Sequence, residues 1–201
     1  GNLVAYVAEI DGQRDLFLAD SGGGAVRRLT DDAFAEFDPA WFPDGRDLAF
    51  TRVGEGEYGI YRVSQLGGPS TLILPHAQQV SVSPDGTRLA FVRVDSSGMN
   101  RIWVCPCDRP DAPIQVTSAR DGLWEHKFPG WSPDGKWICY TTYDGIWRVS
   151  PDGGSPAPIL QDYQDQGRAV WSPDGQEIVF DSSREKTQAL WSVPVKGGRP
   201  R

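Results

Sequence analysis

The stretch Trp131-Ser132-Pro133-Asp134-Gly135 decides the fold of this chain, because close copies of it recur at regular intervals. Residues 171–175 repeat it without change, residues 82–86 replace the tryptophan by valine, and residues 41–45 replace the serine by phenylalanine. The aspartates of the four copies lie at positions 44, 85, 134 and 174, so the intervals are 41, 49 and 40 residues. A period in this range is typical of repeat proteins.

Each copy predicts a tight turn between two strands. Proline presets the backbone for a type I turn, aspartate suits the next position, and glycine accepts the left-handed conformation that follows. A type I turn followed by a left-handed glycine is a common connection in a β-hairpin. Short apolar runs such as Leu48-Ala49-Phe50 and Ile178-Val179-Phe180 follow the turns and have the composition of strands.

The whole chain divides into units of about 40 residues, each with four short strands. We name these strands A to D, with strand A before the Pro-Asp-Gly turn. Units of this kind predict an all-β fold, a β-propeller of four-stranded antiparallel blades with about five repeats. We expect one propeller domain over residues 1–201. Its repeat units are roughly 1–37, 38–78, 79–127, 128–167 and 168–201.

The two terminal repeats are predicted to be incomplete, because the first begins at strand B and the last ends at or before strand D. Three interpretations remain open at this point. The chain is a fragment of a larger ring, a five-bladed ring with a thin joint, or one of two copies that associate through their open terminal blades. We favour the fragment of a longer natural chain.

Composition and charge exclude several classes of protein. The net charge is −7 and the sequence pI is about 4.8, and no basic stripe is apparent, so we expect no nucleic-acid partner. No apolar run approaches the length of a membrane span. The three cysteines are odd in number, and Cys105 and Cys139 align with aliphatic positions of the other repeats, which predicts core residues.

The repeat resembles that of the TolB-type β-propeller family. The resemblance rests on Trp-Ser-Pro-Asp-Gly, two further residues, an apolar run and a second strand ending near Gly-Gly, and it covers essentially the whole chain. It implies a bacterial, WD40-like repeat protein in an extracytoplasmic or periplasmic setting. Two functions follow from it: a scaffold that binds a protein or peptide, or the accessory propeller of a prolyl-oligopeptidase-like hydrolase whose catalytic domain lies outside this sequence.

No catalytic signature accompanies the repeats. A Gly-x-Ser-x-Gly motif, a P-loop, a dinucleotide-binding glycine fingerprint and a His-Glu-x-x-His motif are all absent from the sequence. The chain has two histidines, too few and too far apart for a typical zinc site. We therefore expect a binding protein and not an enzyme, without a cofactor or a metal. A third hypothesis, a lyase or hydrolase acting at the channel mouth with Glu36, His126 and a metal, is retained as the weakest.

The candidate binding site lies in the loops that lead into strand A, because strand A lines the central channel of a propeller. The residues in question are Glu36, Asp38, His76, Trp124, Glu125, His126, Asp165 and Gln166. Glu36, His126 and Gln166 share one repeat position, so we expect them to converge on the axis and bind a cation, a small polar ligand or a peptide tip. The alternative is a water-filled channel with an ordinary polar lining. Trp124 is either a partner contact or a side chain packed over its own blade.

Overall fold

The computed structural model of the chain describes residues 2–118, 125–162, 166–183 and 187–201, with the backbone alone at Gln166. Every regular element in these ranges is a β-strand. Within each sheet, strands that follow one another along the chain are neighbours, and the pairs are antiparallel, as expected for short strands joined by tight turns. The all-β prediction is therefore confirmed.

The strands form two compact units, residues 1–82 and residues 83–201. The first unit contains β1 (Leu3–Ile10), β2 (Gln13–Asp20), β3 (Arg27–Arg28), β4 (Ala35–Trp41), β5 (Asp47–Val53), β6 (Tyr58–Ser64), β7 (Thr71–Pro75) and β8 (Gln78–Val82). The second unit contains β9 (Arg88–Val94), β10 (Asn100–Pro106), β11 (Ile114–Gln115), β12 (Lys127–Trp131), β13 (Ile138–Thr142), β14 (Gly145–Val149), β15 (Ala157–Gln161), β16 (Gln166–Trp171), β17 (Glu177–Ser182) and β18 (Ala189–Pro194).

Five sheets arise from these strands, and each corresponds to one blade of a β-propeller. In sequence order the sheets comprise β1 to β3, β4 to β7, β8 to β11, β12 to β15, and β16 to β18. Among the described residues the first sheet has no strand A. In the fifth sheet Arg201 exchanges two backbone hydrogen bonds with Ser192 at the place of strand D, and no further residue continues that strand. Strands A of consecutive sheets lie close together within each unit, β4 with β8 and β12 with β16.

The Pro-Asp-Gly turns have the predicted geometry. The glycine adopts φ values of 69°, 74°, 69° and 69° in the four copies, a conformation that glycine accepts without strain. Its amide donates a hydrogen bond of 2.8–2.9 Å to the carbonyl oxygen three residues earlier in every copy. The repeated sequence therefore specifies a hairpin turn, and this role is structural.

Apolar side chains from strands B and C fill the core of each unit. In the first unit Leu16, Leu48 and Phe50 are fully buried in one cluster. Each such side chain contributes about 1.5–3 kcal/mol relative to its exposed state. In the second unit Cys105 and Cys139 are buried without a disulfide, and burial raises the pKa of each thiol to about 12. Both thiols therefore remain protonated core groups, as predicted.

Candidate functional site

Strand A carries an unusual backbone conformation at one repeat position. Asp38, Gln79 and Phe128 have φ values of 54°, 55° and 54°, and each lies three residues before the start of its Pro-Asp-Gly stretch. The pairing of β4 with β5 and of β12 with β13 shifts register at these places, which marks β-bulges. A side chain in the left-handed region costs on the order of 1–3 kcal/mol. Bulges re-aim side chains and occur next to functional sites.

Glu36 lies at the start of β4, and its side chain is fully buried. One carboxylate oxygen accepts a hydrogen bond from the Thr30 hydroxyl and another, at 3.2 Å, from the backbone N–H of Leu16. The other oxygen accepts from the guanidinium of Arg52 at 2.7 Å. Burial raises the pKa of Glu36 above its ordinary value, although the bonds from Thr30 and Arg52 oppose the shift.

Arg52 joins Glu36 to the loop before β4. Its guanidinium also forms an ion pair with Asp32 at 2.6 Å, and it lies 4.8 Å from the centre of the Tyr61 ring. Phe34 and Phe50 each approach it at 5.3 Å. A cation held by two carboxylates and several aromatic faces fixes the conformation of this loop. Arg52 stands on strand B, outside the loops that lead into strand A, so the sequence pattern did not indicate it as a site residue.

His126 occupies the corresponding place in the second unit. Its ring is fully buried, and Nδ1 lies 2.7 Å from the hydroxyl oxygen of Thr117. That hydroxyl also accepts a hydrogen bond of 2.9 Å from the backbone N–H of Ile102. The imidazole packs on the Tyr140 ring with centroids 4.9 Å apart. His126 is therefore built into the interior of its unit.

Glu36 and His126 serve the same structural purpose. In each case the hydroxyl of a threonine just beyond strand D accepts a hydrogen bond from the backbone N–H of a strand C residue. The same hydroxyl contacts the polar side chain of a residue at the start of the next strand A or just before it. We call these arrangements the Glu36 joint (Thr30, Leu16, Glu36) and the His126 joint (Thr117, Ile102, His126). Pro75, the last residue of β7, and Ala77, just before β8, occupy the corresponding positions, and neither side chain can form such a bond. Thr30 and Thr117 share one repeat position, and this recurrence is the sequence signal for the joints.

The remaining predicted residues occupy more accessible places. Asp38 is half-buried at the bulge of β4, and His76 is exposed with a φ of 54° and an edge contact to Tyr58 at 5.7 Å. Glu125 is half-buried and forms an ion pair with Lys127 at 2.9 Å. Trp124 and Asp165 lie outside the described residues, as does the side chain of Gln166. The expected convergence of Glu36, His126 and Gln166 stays a prediction.

Within the described ranges, no group of three or more histidine, cysteine, aspartate or glutamate side chains could hold a metal ion. In the same ranges, no helix is long and apolar enough to cross a membrane. The accessible side chains at this end of the sheets include the imidazole of His76, the ring of Phe34, and Glu125 with its ion-pair partner Lys127. Such groups can hydrogen-bond and pack against a polypeptide.

Comparisons with known proteins agree with this architecture. TolB of Acinetobacter baumannii has a solved structure that superimposes with a TM-score of 0.83 over 100% of this chain and 52% of its own, at 20% identity. At that identity the likeness shows the fold alone.

Three curated relatives extend the comparison. An uncharacterized protein of Agrobacterium fabrum is 29% identical over 170 residues, 79% of this chain and 55% of its own length. The uncharacterized peptidase YuxL of Bacillus subtilis is 28% identical over 200 residues, 93% of this chain and 29% of its own. The Tol-Pal system protein TolB of Anaeromyxobacter dehalogenans is 31% identical over 107 residues, 52% of this chain and 24% of its own. The chain thus spans about half the length of the first relative and less than a third of the other two.

The family of the TolB beta propeller domain matches residues 1–161. This match includes the first three Pro-Asp-Gly stretches and four of the five sheets. The chain therefore belongs to the TolB beta propeller domain family.

Proposed function

We propose that this protein is a non-catalytic binding module that engages a protein or peptide at the end of the sheets where strands A begin. The strained bulge of strand A carries this proposal. Three sheets place a residue other than glycine in the left-handed region at the same position, although a glycine there would remove the strain. Backbone strain that recurs at one position in three sheets is expected where the direction of the side chain matters for function.

The two joints support the proposal by rigidifying the segments on which these residues stand. The Glu36 joint holds the chain just before Asp38, and the His126 joint holds the chain just before Phe128. A preorganised surface loses less conformational entropy when it binds, which increases affinity. In this proposal Glu36 and His126 support the site from within, and Asp38, His76 and Glu125 contact the partner.

The proposed contacts belong to each unit separately. In the first unit they are Asp38, His76 and Gln79, and in the second unit they are Trp124, Glu125, Asp165 and Gln166. The kinship with a Tol-Pal system protein further supports an extracytoplasmic setting in a bacterium, which is part of the proposal.

The test uses peptides selected on the protein itself. A displayed library of random dodecapeptides is selected on the wild-type chain, after depletion on an Asp38→Gly, Gln79→Gly double variant. Glycine accepts the left-handed conformation, so the variant loses both side chains without added strain. We expect the selected peptides to bind the variant at least tenfold more weakly in isothermal titration calorimetry. The free energy of unfolding should change little.

Asp11→Gly is the matched control. Asp11 has a φ of 54° as well, but it lies in the hairpin turn between β1 and β2 and not in a strand A. This variant should bind the selected peptides like the wild type. Equal binding by the wild type and the double variant, or no enrichment at all, would contradict the proposal.

A second function is favoured by one comparison, the alignment of 93% of this chain with the peptidase YuxL. In that case the chain would be the accessory propeller of a hydrolase and would control access to a catalytic domain. The complete reading frame decides between the two functions. An adjoining domain with a serine nucleophile motif would support the accessory role and would end the proposal of an independent binding module.

A further inference from the structure

A groove lies between the fourth and fifth sheets, at the end that carries the Pro-Asp-Gly turns and therefore opposite to the site proposed above. It belongs wholly to the second unit and has a volume of about 260 Å³. Trp137, Trp171 and Pro133 form its apolar walls, and Arg148 lines it as well. Small-molecule sites usually span about 300–1,000 Å³, so this groove suits one or two residues of an extended peptide better than a compact ligand.

Arg148 gives the groove an unused hydrogen-bond donor. Its Nε is buried and has no hydrogen-bond partner among the residues that the structure describes. The guanidinium lies over the Trp137 ring, 4.6 Å from the ring centre. A buried charged donor without an acceptor is costly, so an incoming oxygen atom at this place would be strongly favoured.

The matching arginine of the second sheet shows what Arg148 lacks. Arg62 occupies the same register on β6 and lies 4.5 Å from the centre of the Phe42 ring, but its Nε donates to Asp47 at 2.9 Å. Trp137 takes the place of that aspartate three residues after the turn aspartate. The exchange removes the internal acceptor and adds an aromatic wall.

The neighbouring groove, between the third and fourth sheets, is wider, with a volume of about 390 Å³, and differs in its lining. Arg88 lies 4.9 Å from the centre of the Trp131 ring and forms an ion pair with Asp152 at 3.0 Å. Trp171 stands at the position of Trp131, and Trp137 stands at the position of Arg88. The groove between the fourth and fifth sheets therefore has two tryptophans where its neighbour has a tryptophan already covered by an arginine.

The rim of the groove is acidic. Asp134 and Asp174 lie in the two turns that border it. Hydrogen bonds from the hydroxyls of Ser132 and Ser172 and from backbone amides hold the pKa of each carboxyl below its usual range. Both are therefore ionised at neutral pH, in a chain of net charge −7. An acidic ligand would be repelled, and basic side chains would be attracted.

We propose that this groove binds an extended, proline-containing peptide segment with basic residues on either side. Proline rings pack well between aromatic side chains, and the polyproline II conformation is already extended before binding, which lowers the entropic cost. The backbone of such a segment has solvated carbonyl groups, and one of them would accept the hydrogen bond from Arg148. The acidic rim would attract the flanking lysine or arginine side chains.

The test uses a fluorescein-labelled peptide with four consecutive prolines between pairs of arginines, measured by fluorescence polarisation. We expect saturable binding that weakens about tenfold or more in Arg148→Met, which keeps the side-chain stem and removes the donors. Arg62→Met is the matched control and should bind like the wild type. Equal binding by wild type and Arg148→Met would overturn the proposal.

Two control peptides separate the parts of the recognition. Replacing the prolines by alanines should abolish saturable binding, and replacing the arginines by glutamates should weaken it at least tenfold. Binding of the alanine peptide as tight as that of the proline peptide would show that charge alone drives binding and would overturn the proposal. Tighter binding of the glutamate peptide would overturn it as well.

A spectroscopic readout avoids mutation of the core. In chain labelled with 5-fluorotryptophan, the ¹⁹F resonances of Trp137 and Trp171 should shift on titration with the peptide, while that of Trp131 should not. Shifts confined to other tryptophans would contradict the assignment of the groove.

Discussion

The Glu36 joint and the His126 joint build the same connection from different chemistry. In both, a threonine beyond strand D ties a strand C amide to the side chain that leads into the next strand A. One joint uses a carboxylate neutralised by Arg52, and the other uses an imidazole packed on Tyr140. The difference shows that the repeat fixes the geometry of the joint and leaves its charge free to vary. The following predictions test that comparison.

The largest effect is expected from Glu36→Ala. Removing one partner of a buried ion pair typically lowers the free energy of unfolding by about 3–5 kcal/mol, because the charge of Arg52 is left poorly compensated. We expect a value near the lower limit, because Asp32 still pairs with Arg52. Urea denaturation followed by intrinsic fluorescence measures the change in the free energy of unfolding. A loss below about 1 kcal/mol would show that the Glu36 joint behaves as a surface contact.

The His126 joint should respond more weakly, because no ion pair is broken. Thr117→Val leaves the amide of Ile102 and the Nδ1 of His126 without the hydroxyl, at a cost of about 1–3 kcal/mol. A double-mutant cycle that combines Thr117→Val with His126→Phe should give an interaction energy between the two residues of about 0.5–3 kcal/mol. Additive effects of the two substitutions in urea denaturation would contradict the joint.

The two joints should also differ in their dependence on pH. A glutamate in the unfolded chain has a pKa of about 4.3, as in model peptides. Burial raises the pKa of Glu36 in the folded chain. The folded state therefore keeps this proton to higher pH than the unfolded state. Its contribution to stability is complete below the unfolded pKa and is lost as the pH rises through the folded pKa.

Glu36→Gln should remove this part of the pH profile, since glutamine does not titrate. The measurement is the free energy of unfolding as a function of pH for both proteins, with Thr117→Val as a control that keeps the Glu36 slope. Parallel profiles for wild type and Glu36→Gln would contradict the raised pKa.

The smallest effect is expected at the opposite end of the sheets. The Ser132 hydroxyl donates to Asp134 at 2.7 Å and accepts the amide of Trp137 at 2.9 Å. Ser132→Ala should cost about 1 kcal/mol and raise the pKa of Asp134 toward its ordinary value, which a carboxyl NMR titration measures. The stretch at 41–45, with Phe42 in place of the serine, shows that the turn forms without the hydroxyl. An unchanged pKa of Asp134 in Ser132→Ala would argue against the Ser132 hydroxyl as the main cause of the lowered pKa.

The fold was predictable because its signals are local. Proline and glycine specify a turn in every copy of the repeated stretch, as at residues 133–135. The period of about 40 residues predicts the number of sheets. Cys105 and Cys139 were predictable core residues for the same reason, since they stand where other repeats have aliphatic side chains. These inferences need no knowledge of distant contacts.

The candidate site was less predictable because it depends on partners far along the chain. Sequence position suggested that Glu36 and His126 point toward a ligand, but burial and the bonds from Thr30 and Thr117 are visible only once the strands are paired. The left-handed backbone at Gln79 and Phe128 has no signal in residue type, because neither residue favours it. The unused donor of Arg148 likewise depends on a comparison with Arg62 across two sheets.

The most direct test of the binding module is hydrogen exchange of the wild-type chain with and without a peptide selected as described above. The account predicts slower exchange on binding for amides around Asp38 and Gln79 in the first unit or around Phe128 in the second, with no change at the Pro-Asp-Gly turns. Protection confined to the turns at residues 133–135 and 173–175 would place binding at the opposite end of the sheets and contradict the proposed function.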